Sequence, residues 1–272
     1  MSKLDVHTAH LSRTGGRKRN EDSCGYWTSD AGCCWVVSDG AGGHGGGDVA
    51  SRLVVKTVLE RFAANPVVSS EVAVSLLETA HAELMKAKEH QPAGTDMHAT
   101  CVLLLIDREQ GQAVWGHAGD SRAYLFRNGQ LAYQTRDHSL VQSMIDAGYG
   151  STDLIRTHPQ RSLLTSAIGN AGELVISVSG DPVPTDAGDV FMLCSDGWWE
   201  YVDEANMQRI LAEASSADAW LESMAAIVER DAGTDNDNYT AVGVVVNSAE
   251  SATTVILGPR SEQAEPPEES TS

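Results

Sequence analysis

Hydrophobic positions change their period several times along the chain. Residues 33–38, Cys-Cys-Trp-Val-Val-Ser, form an apolar, β-prone run that ends at Asp39-Gly40, which predicts a strand. From 48 to 64 the spacing turns helical: Val49, Leu53, Val54, Val58 and Phe62 share a face, with Arg52, Lys56, Glu60 and Arg61 opposite. A second helix is expected from about Ser70 to Lys88, with Leu76, Leu77, Ala80 and Leu84 as its buried stripe. Lys86, Lys88 and His90 suit its C-terminal dipole, and Pro92 and Gly94 stop it.

The period then falls to two. Residues 100–106, 112–117 and 122–127 read as strands, and Asn128-Gly129 is a hairpin turn leading into a strand over 130–135. A helix is expected over 139–147, followed by a polar, irregular stretch over 148–162. Residues 190–195 and 240–246 read as strands, with helices over 204–215 and 217–231 between them. This is not the strict alternation of a parallel βα fold, so antiparallel sheets with helices packed outside them are expected.

Beyond Val246 the composition turns to Ser, Glu and Pro, which cannot bury enough apolar surface to offset ordering entropy. The expected organisation is one domain over 1–247 and an acidic, disordered tail over 248–272. The tail does not explain the charge. The whole chain carries a formal net charge of −19, and five Glu against one Arg after residue 247 leave −15 for the rest. Such acidity argues against nucleic acid or an anionic membrane as a partner. The longest apolar block, Cys101 to Ile106, is strand-sized, so no membrane span is expected. The N-terminus has no apolar segment of the secretory kind. Five scattered Cys in no zinc spacing suit a reducing compartment, and the cytoplasm is expected.

The candidate chemistry lies in carboxylates at strand ends. Val36-Val37-Ser38-Asp39-Gly40 and Leu193-Cys194-Ser195-Asp196-Gly197 are both an apolar strand ending in Ser-Asp-Gly. A strand holds its last side chain firmly, and Gly permits a sharp departure and a close approach to a ligand. Further acidic sites stand at Asn20-Glu21-Asp22, Gly119-Asp120-Ser121-Arg122 and Asp235-Asn236-Asp237-Asn238. Any one alone reads as a turn; together, at strand boundaries, they read as a site. Carboxylates brought that close repel unless a cation intervenes. Oxygen ligands without a Cys or His cluster suit Mg²⁺ or Mn²⁺ rather than Zn²⁺. Two such ions can activate a water and neutralise a phosphoryl oxygen.

These motifs resemble the metal-dependent type 2C protein phosphatases in their bacterial serine/threonine form. Arg17-Lys18-Arg19-Asn20-Glu21-Asp22 matches R-x-x-N-E-D, and residues 39–48 resemble D-G-x-G-G-H-x-x-G-[ED]. Gly119-Asp120-Ser121-Arg122 matches G-D-S-R. Asp137-His138-Ser139, His158-Pro159 and Leu164-Thr165-Ser166-Ala167-Ile168-Gly169 resemble D-H-S, H-P and L-T-x-A-[IL]-G. Ser195-Asp196-Gly197 and Asp237-Asn238-Tyr239-Thr240 complete the series, in family order, over about 17–240.

The resemblance implies an α+β fold, a four-layer αββα sandwich of two packed antiparallel sheets flanked by helices. It implies hydrolysis of phosphoserine and phosphothreonine in proteins by a hydroxide bridging two Mn²⁺ or Mg²⁺ ions. Asp39 would bridge the ions, with the Gly40 carbonyl on one, and Asp196 and Asp237 would complete the pair. Glu21 and Asp22 would act nearby through bound water, and Asp120 would share a third, weaker ion with Asp196. Arg17 would grip the substrate phosphate, for which a guanidinium fork is suited. Residues 148–162 would be the flap beside the site.

Three positions depart from the pattern: Ala41 where Met is common, Trp198-Trp199 where a smaller apolar residue is usual, and Ser151-Thr152-Asp153 in place of T-E-E. In animal relatives a His directly follows Asp-Gly and protonates the leaving group. Here the nearest is His44, readable as a proton donor or as a loop His fixed by hydrogen bonds.

Other chemistries fit less well. No Cys has Arg six positions on, as a cysteine phosphatase needs; Arg108 lies one place too far from Cys101. The Gly-rich loop 40–47 lacks the Gly-Lys-Ser/Thr of a P-loop, and 231–240 lacks the Gly and distal Glu of an EF-hand. Arg13, Arg17, Lys18 and Arg19 suit a phosphate-binding Arg with solvated neighbours better than a nucleic-acid patch. Trp115, Trp198 and Trp199 read as core or wall, and His138 and His158 as structural. A non-catalytic phosphoprotein-binding adaptor on the same fold is the alternative reading. The expected partners are phosphorylated proteins and a cognate serine/threonine kinase, with the chain acting as a monomer.

Overall fold

In the strand β3 (Cys33–Ala41) almost every residue is buried, because both of its faces are covered. The computed structural model describes residues 3–42, 46–91 and 96–249. Cys33, Trp35 and Val37 point to one side, Cys34 and Val36 to the other, as the two-residue period of a strand requires. The first set packs against a second sheet and the second set against helices. That double burial explains the unbroken apolar run.

The remaining elements are, in chain order, β1 (Leu4–Arg13), β2 (Asp22–Thr28), α1 (Gly46–Ala64), α2 (Ser70–Glu89), β4 (His98–Ala99), β5 (Cys101–Asp107), β6 (Gln112–Ala118), β7 (Arg122–Arg127) and β8 (Gln130–Gln134). They continue with α3 (Leu140–Asp146), α4 (Leu154–Thr157), β9 (Ser177–Val178), β10 (Val183–Pro184), β11 (Val190–Cys194), α5 (Asp196–Trp199), α6 (Glu204–Glu213), α7 (Ala217–Asp231) and β12 (Tyr239–Ser248).

One sheet has the order β1-β12-β11-β7-β8 and the other β10-β6-β5-β3-β2, with β4 added on β3 and β9 on β6. Every pairing is antiparallel. Trp35, Leu104, Trp115, Leu125, Phe191, Leu193 and Val244 fill the space between the sheets. Trp35 Nε1 also donates to Thr8 Oγ1 at 2.9 Å, joining one sheet to the other. Helices α1 and α2 cover the outer face of the β3 sheet through Val54, Val58, Phe62, Leu77 and Leu84. Helices α6 and α7 cover the other sheet through Met207, Trp220, Met224 and Val228. The fold is therefore the expected four-layer sandwich.

Local signals worked where they were read. Asn128 and Gly129 have φ of 51° and 73°, the paired left-handed conformation of a tight hairpin. Ser69 Oγ accepts from Val72 N and starts α2 where the sequence placed it. Two readings change. Val49 is 42% exposed, and Ala50, Val54, Val58 and Phe62 form the true buried stripe, with Val49 one residue, about 100° of turn, off that line. The strand β1 was not foreseen: within Asp-Val-His-Thr-Ala-His-Leu-Ser only Ala9 and Leu11 are fully buried, so its alternation is faint. His44, the helix stop at Pro92 and Gly94, and the tail from Glu250 lie outside the described residues.

Candidate active site

The acidic motifs converge at one end of the two sheets. Asp39 stands near the C-terminal end of β3, Asp22 at the start of β2, Asp120 between β6 and β7, Asp196 after β11, and Asp237 just before β12. Asp22 and Asp39 are direct register partners across the β2–β3 ladder. Arg17, Glu21, Asp39, Gly40, Asp120, Asp196 and Asp237 line one cleft of about 370 Å³, together with Ala41, Gly42, His98, Thr100, Ser162 and Leu164. Asp22 is buried beneath it, 8% exposed.

Backbone bonds fix these positions. Asp39 N donates to Thr100 Oγ1 at 2.9 Å, Thr100 N donates to Asp39 O at 2.8 Å, and Ser38 Oγ donates to Thr100 O at 2.6 Å. Gly40 N donates to Glu21 O at 3.1 Å. Asn238 is the fastener of the N-terminal arm: its Oδ1 accepts from Glu21 N at 2.7 Å, and its Nδ2 donates to Thr14 O at 2.7 Å and Arg19 O at 2.9 Å. Ser195 Oγ donates to Asp22 Oδ2 at 2.7 Å. The glycines after both aspartates allow the chain to approach itself. A Cβ on Gly40 would lie 2.0 Å from Gly47 O, and one on Gly197 would lie 2.2 Å from Asn238 O. Close approach of chain to chain is thus one demand for Gly at both positions, and Gly40 also lines the cleft.

The electrostatics of this cleft are strained. Burial, then Asp22, Asp196, Asp120 and Asp237, pushes the Asp39 carboxyl well above the usual range. Burial, then Asp120, Glu200, Asp237 and Asp22, does the same to Asp196. Asp22 is pushed up to about 6, mainly by burial against the bond from Ser195, and Asp120 to about 7 by burial and then Asp137. Glu21 is also raised, by burial first and then by Asp48 and Asp237. Asp22 Oδ1 and Asp196 Oδ1 are buried and have no hydrogen-bond partner. These features fit a divalent cation: Asp39 and Asp196 would regain their charged forms beside one, and the unpartnered oxygens of Asp22 and Asp196 would find a partner in it or in its waters.

The donor set is oxygen only, as Mg²⁺ or Mn²⁺ prefers. Among the described residues no three acidic, His or Cys side chains close into a single cage. Carboxylates spread around an open cleft suit ions that keep several waters.

Arg17 is exposed at the rim and makes a 2.8 Å ion pair with Asp237. The sequence reading treated these two as separate functions; here they touch. Asp120 is held by a buried network the sequence did not reveal. Trp199 Nε1 donates to Asp120 O at 2.9 Å, and the Arg122 guanidinium lies 3.6 Å from the centre of the same indole ring. Arg122 pairs bidentately with buried Asp137, both bonds at 2.8 Å. His138 Nδ1 accepts from Gly119 N at 3.2 Å, and its ring stacks on His117 at 4.5 Å. G-D-S-R and D-H-S are thus two halves of one support, a link their separation in sequence concealed. The 148–162 stretch contains α4 and is tied to α5 and α6: Arg156 donates to Trp199 O and Glu204 at 2.9 Å each, and Arg161 pairs with Glu200.

Comparison with known proteins agrees with this geometry. The family profile described as protein phosphatase 2C matches residues 11–234. The serine/threonine phosphatase stp of Listeria innocua is 32% identical over 201 residues, which is 72% of this chain and 78% of that protein. The crystal structure of the Mycobacterium tuberculosis serine/threonine phosphatase PstP/Ppp superposes with a TM-score of 0.77 at 27% identity, over 89% of this chain and 99% of that one. The catalytic domain of PstP in complex with two manganese ions superposes with a TM-score of 0.74 at 25% identity, over 90% of this chain and 100% of that one. The chain belongs to the protein phosphatase 2C family, as a serine/threonine protein phosphatase of its bacterial form.

Proposed function

We propose that the cleft removes phosphate from phosphoserine and phosphothreonine side chains of proteins with the help of two Mn²⁺ or Mg²⁺ ions. The observation that carries this reading is the convergence of Asp39, Asp120, Asp196 and Asp237 on one cleft, with orphaned buried oxygens on Asp22 and Asp196. Asp39, the Gly40 carbonyl, Asp196 and Asp237 would hold the ion pair. Glu21 and Asp22 would support it from behind, and Asp120 with Asp196 would hold a third ion. When bound, such ions supply an activated water and neutralise phosphoryl charge. The manganese-bound relative supports this choice of metal.

The protein's own residues do the positioning. Arg17 stands at the rim where a guanidinium reaches a phosphate dianion once Asp237 is engaged by a cation. Thr100 fixes the Asp39 backbone through its hydroxyl and its backbone N–H. Ser162, at the end of the flap, and Leu164, just beyond it, line the cleft that would take the phosphorylated side chain. The alternative, an adaptor that binds phosphoproteins without turnover, has no need of buried carboxylates under mutual repulsion.

In the cell the reading is of a monomeric, cytoplasmic enzyme that reverses a serine/threonine kinase; no helix among the described residues is long and apolar enough to cross a membrane. Residues 1–247 form the catalytic unit in this reading, and the acidic tail aids solubility. The test is hydrolysis of a phosphothreonine peptide with Mn²⁺, with Mg²⁺ and with EDTA. Turnover that needs metal and stops with EDTA is expected. A well-folded protein that is inert with both metals would favour the adaptor.

A further inference from the structure

The cleft contains one imidazole that none of the motifs covers. His98 lies on β4, which adds to β3 with Ala41 opposite His98 and Ala99 opposite Gly40. Side chains two apart on a strand share a face. Ala99 is fully buried against the helices, so His98 and Thr100 turn the other way, and both line the cleft. Thr100 is the residue that grips the Asp39 backbone. His98 is therefore held at a fixed offset from the carboxylate centre. Its cross-strand neighbour Ala41 has only a methyl group, which leaves the imidazole room.

The ring is also oriented. His98 Nδ1 lies 3.1 Å from Asp96 Oδ1. The backbone of Asp96 is itself clamped: a Cβ on Gly42 or Gly46 would lie 2.1 Å or 2.3 Å from Asp96 O. With Nδ1 engaged by a carboxylate, Nε2 is the nitrogen left over, and among the described residues nothing bonds to it. A carboxylate engaging one nitrogen of an imidazole that lines a substrate cleft is the arrangement of an oriented proton donor.

We infer that His98 is a catalytic residue that protonates the departing seryl or threonyl oxygen, with Asp96 as its positioning residue. This rests on the phosphatase reading above and adds the group that completes the bond cleavage. The oxygen of water forms the new bond to phosphorus, and that water's proton goes to solvent. The bond from phosphorus to the side-chain oxygen breaks, with its electron pair on that oxygen. The proton on His98 Nε2 passes to the same oxygen, giving the free hydroxyl, and the imidazole regains a proton from solvent. The sum is ester plus water giving alcohol plus phosphate. An alkoxide is a poor leaving group and needs this proton; a nitrophenolate does not.

The test compares leaving groups in the full chain with Mn²⁺. Wild type and His98→Ala are assayed on a phosphothreonine peptide, on p-nitrophenyl phosphate, and on a series of aryl phosphates of rising phenol pKa. His98→Ala should lower kcat on the peptide by about a hundredfold. It should change p-nitrophenyl phosphate turnover by less than about threefold and steepen the dependence of rate on leaving-group pKa. Asp96→Ala should shift the same ratio in the same direction, by less. Equal losses on both substrates, or an unchanged leaving-group slope, would overturn the assignment. If the alanine variant melts early, His98→Gln is read in its place by the same slope. Wild-type protein inert on every substrate would instead sink the phosphatase reading itself.

Discussion

Asp22 and Asp39 face one another as register partners at the open end of the β2–β3 ladder. Like charges directly opposite on neighbouring strands destabilise a sheet, and either a proton or a cation beside the pair would relieve that repulsion. Without metal, Asp39→Asn should raise stability by up to about 1 kcal/mol, roughly 3 °C in Tm. Mn²⁺ at a hundred times its dissociation constant should raise wild-type stability by about 2.7 kcal/mol, roughly 5–10 °C. The variant should show little of that rise and no turnover. Thermal melts with and without Mn²⁺ check this, and an equal metal-induced rise in both proteins would contradict it.

Arg17 and Asp237 form an exposed pair, which is worth little to the fold. Arg17→Ala should leave Tm within about 1 °C. Loss of a charged hydrogen bond to phosphate should raise KM for a phosphopeptide roughly tenfold to hundredfold. Arg17→Lys should recover only part of the loss, since an ammonium lacks the fork. Because Arg17 occupies Asp237 itself, its removal should not weaken Mn²⁺ binding. Calorimetric titration of metal into the Arg17→Ala protein reads this directly.

Arg122 and Asp137 are almost wholly buried, 1% and 2% exposed at their side chains. Removing one partner leaves a buried charge unanswered, so Asp137→Ala should cost about 3–5 kcal/mol in denaturant unfolding. Replacing both, Arg122→Met with Asp137→Leu, should recover much of that loss. If the double variant is no better than the single, the burden lies with the other Arg122 contacts, the Trp199 face and Glu204.

The parts of this architecture that were legible from sequence are those written in local chemistry. The apolar run Cys33–Val37, the Asn128-Gly129 turn and the stripe of α2 each follow from spacing alone. The paired Ser-Asp-Gly ends pointed to a carboxylate centre. What stayed hidden depends on contacts between distant segments. The short helix α5 is too brief to show a period. Trp199, expected as core or wall, lies in the core and is also a support for Asp120, which requires Asp120 O to lie within reach of its indole. His98 carries no motif, and only its pairing beside Ala41 brings it to the cleft.

His138 gives a pH dependence whose sign is fixed by its surroundings. Burial, and then stacked His117, lowers its pKa to about 4 from an ordinary 6.5, and its neutral ring accepts from Gly119 N. Between those values the unfolded chain binds the extra proton and the folded one does not. Its contribution is therefore complete above pH 6.5 and is lost as pH falls towards 4. His138→Gln has no such titration. The stability difference between wild type and variant should be flat above pH 7 and shrink steadily below 6.5. Urea unfolding at pH 5, 6, 7 and 8 measures it. A difference that grows on acidification would mean the ring is charged in the fold.

The β1–β12 ladder runs from Arg13 opposite Tyr239, near Asp237 and the cleft, to Leu4 opposite Ser248 at the far pole. At about 3.3 Å per residue its ends stand about 30 Å apart. Ala249 N donates to Lys3 O there, so both ends of the described fold leave the molecule side by side, away from the chemistry. An affinity tag, a fluorophore or a surface linker joined beside Lys3 or Ala249 would sit at the pole opposite the cleft and leave it open to incoming substrate.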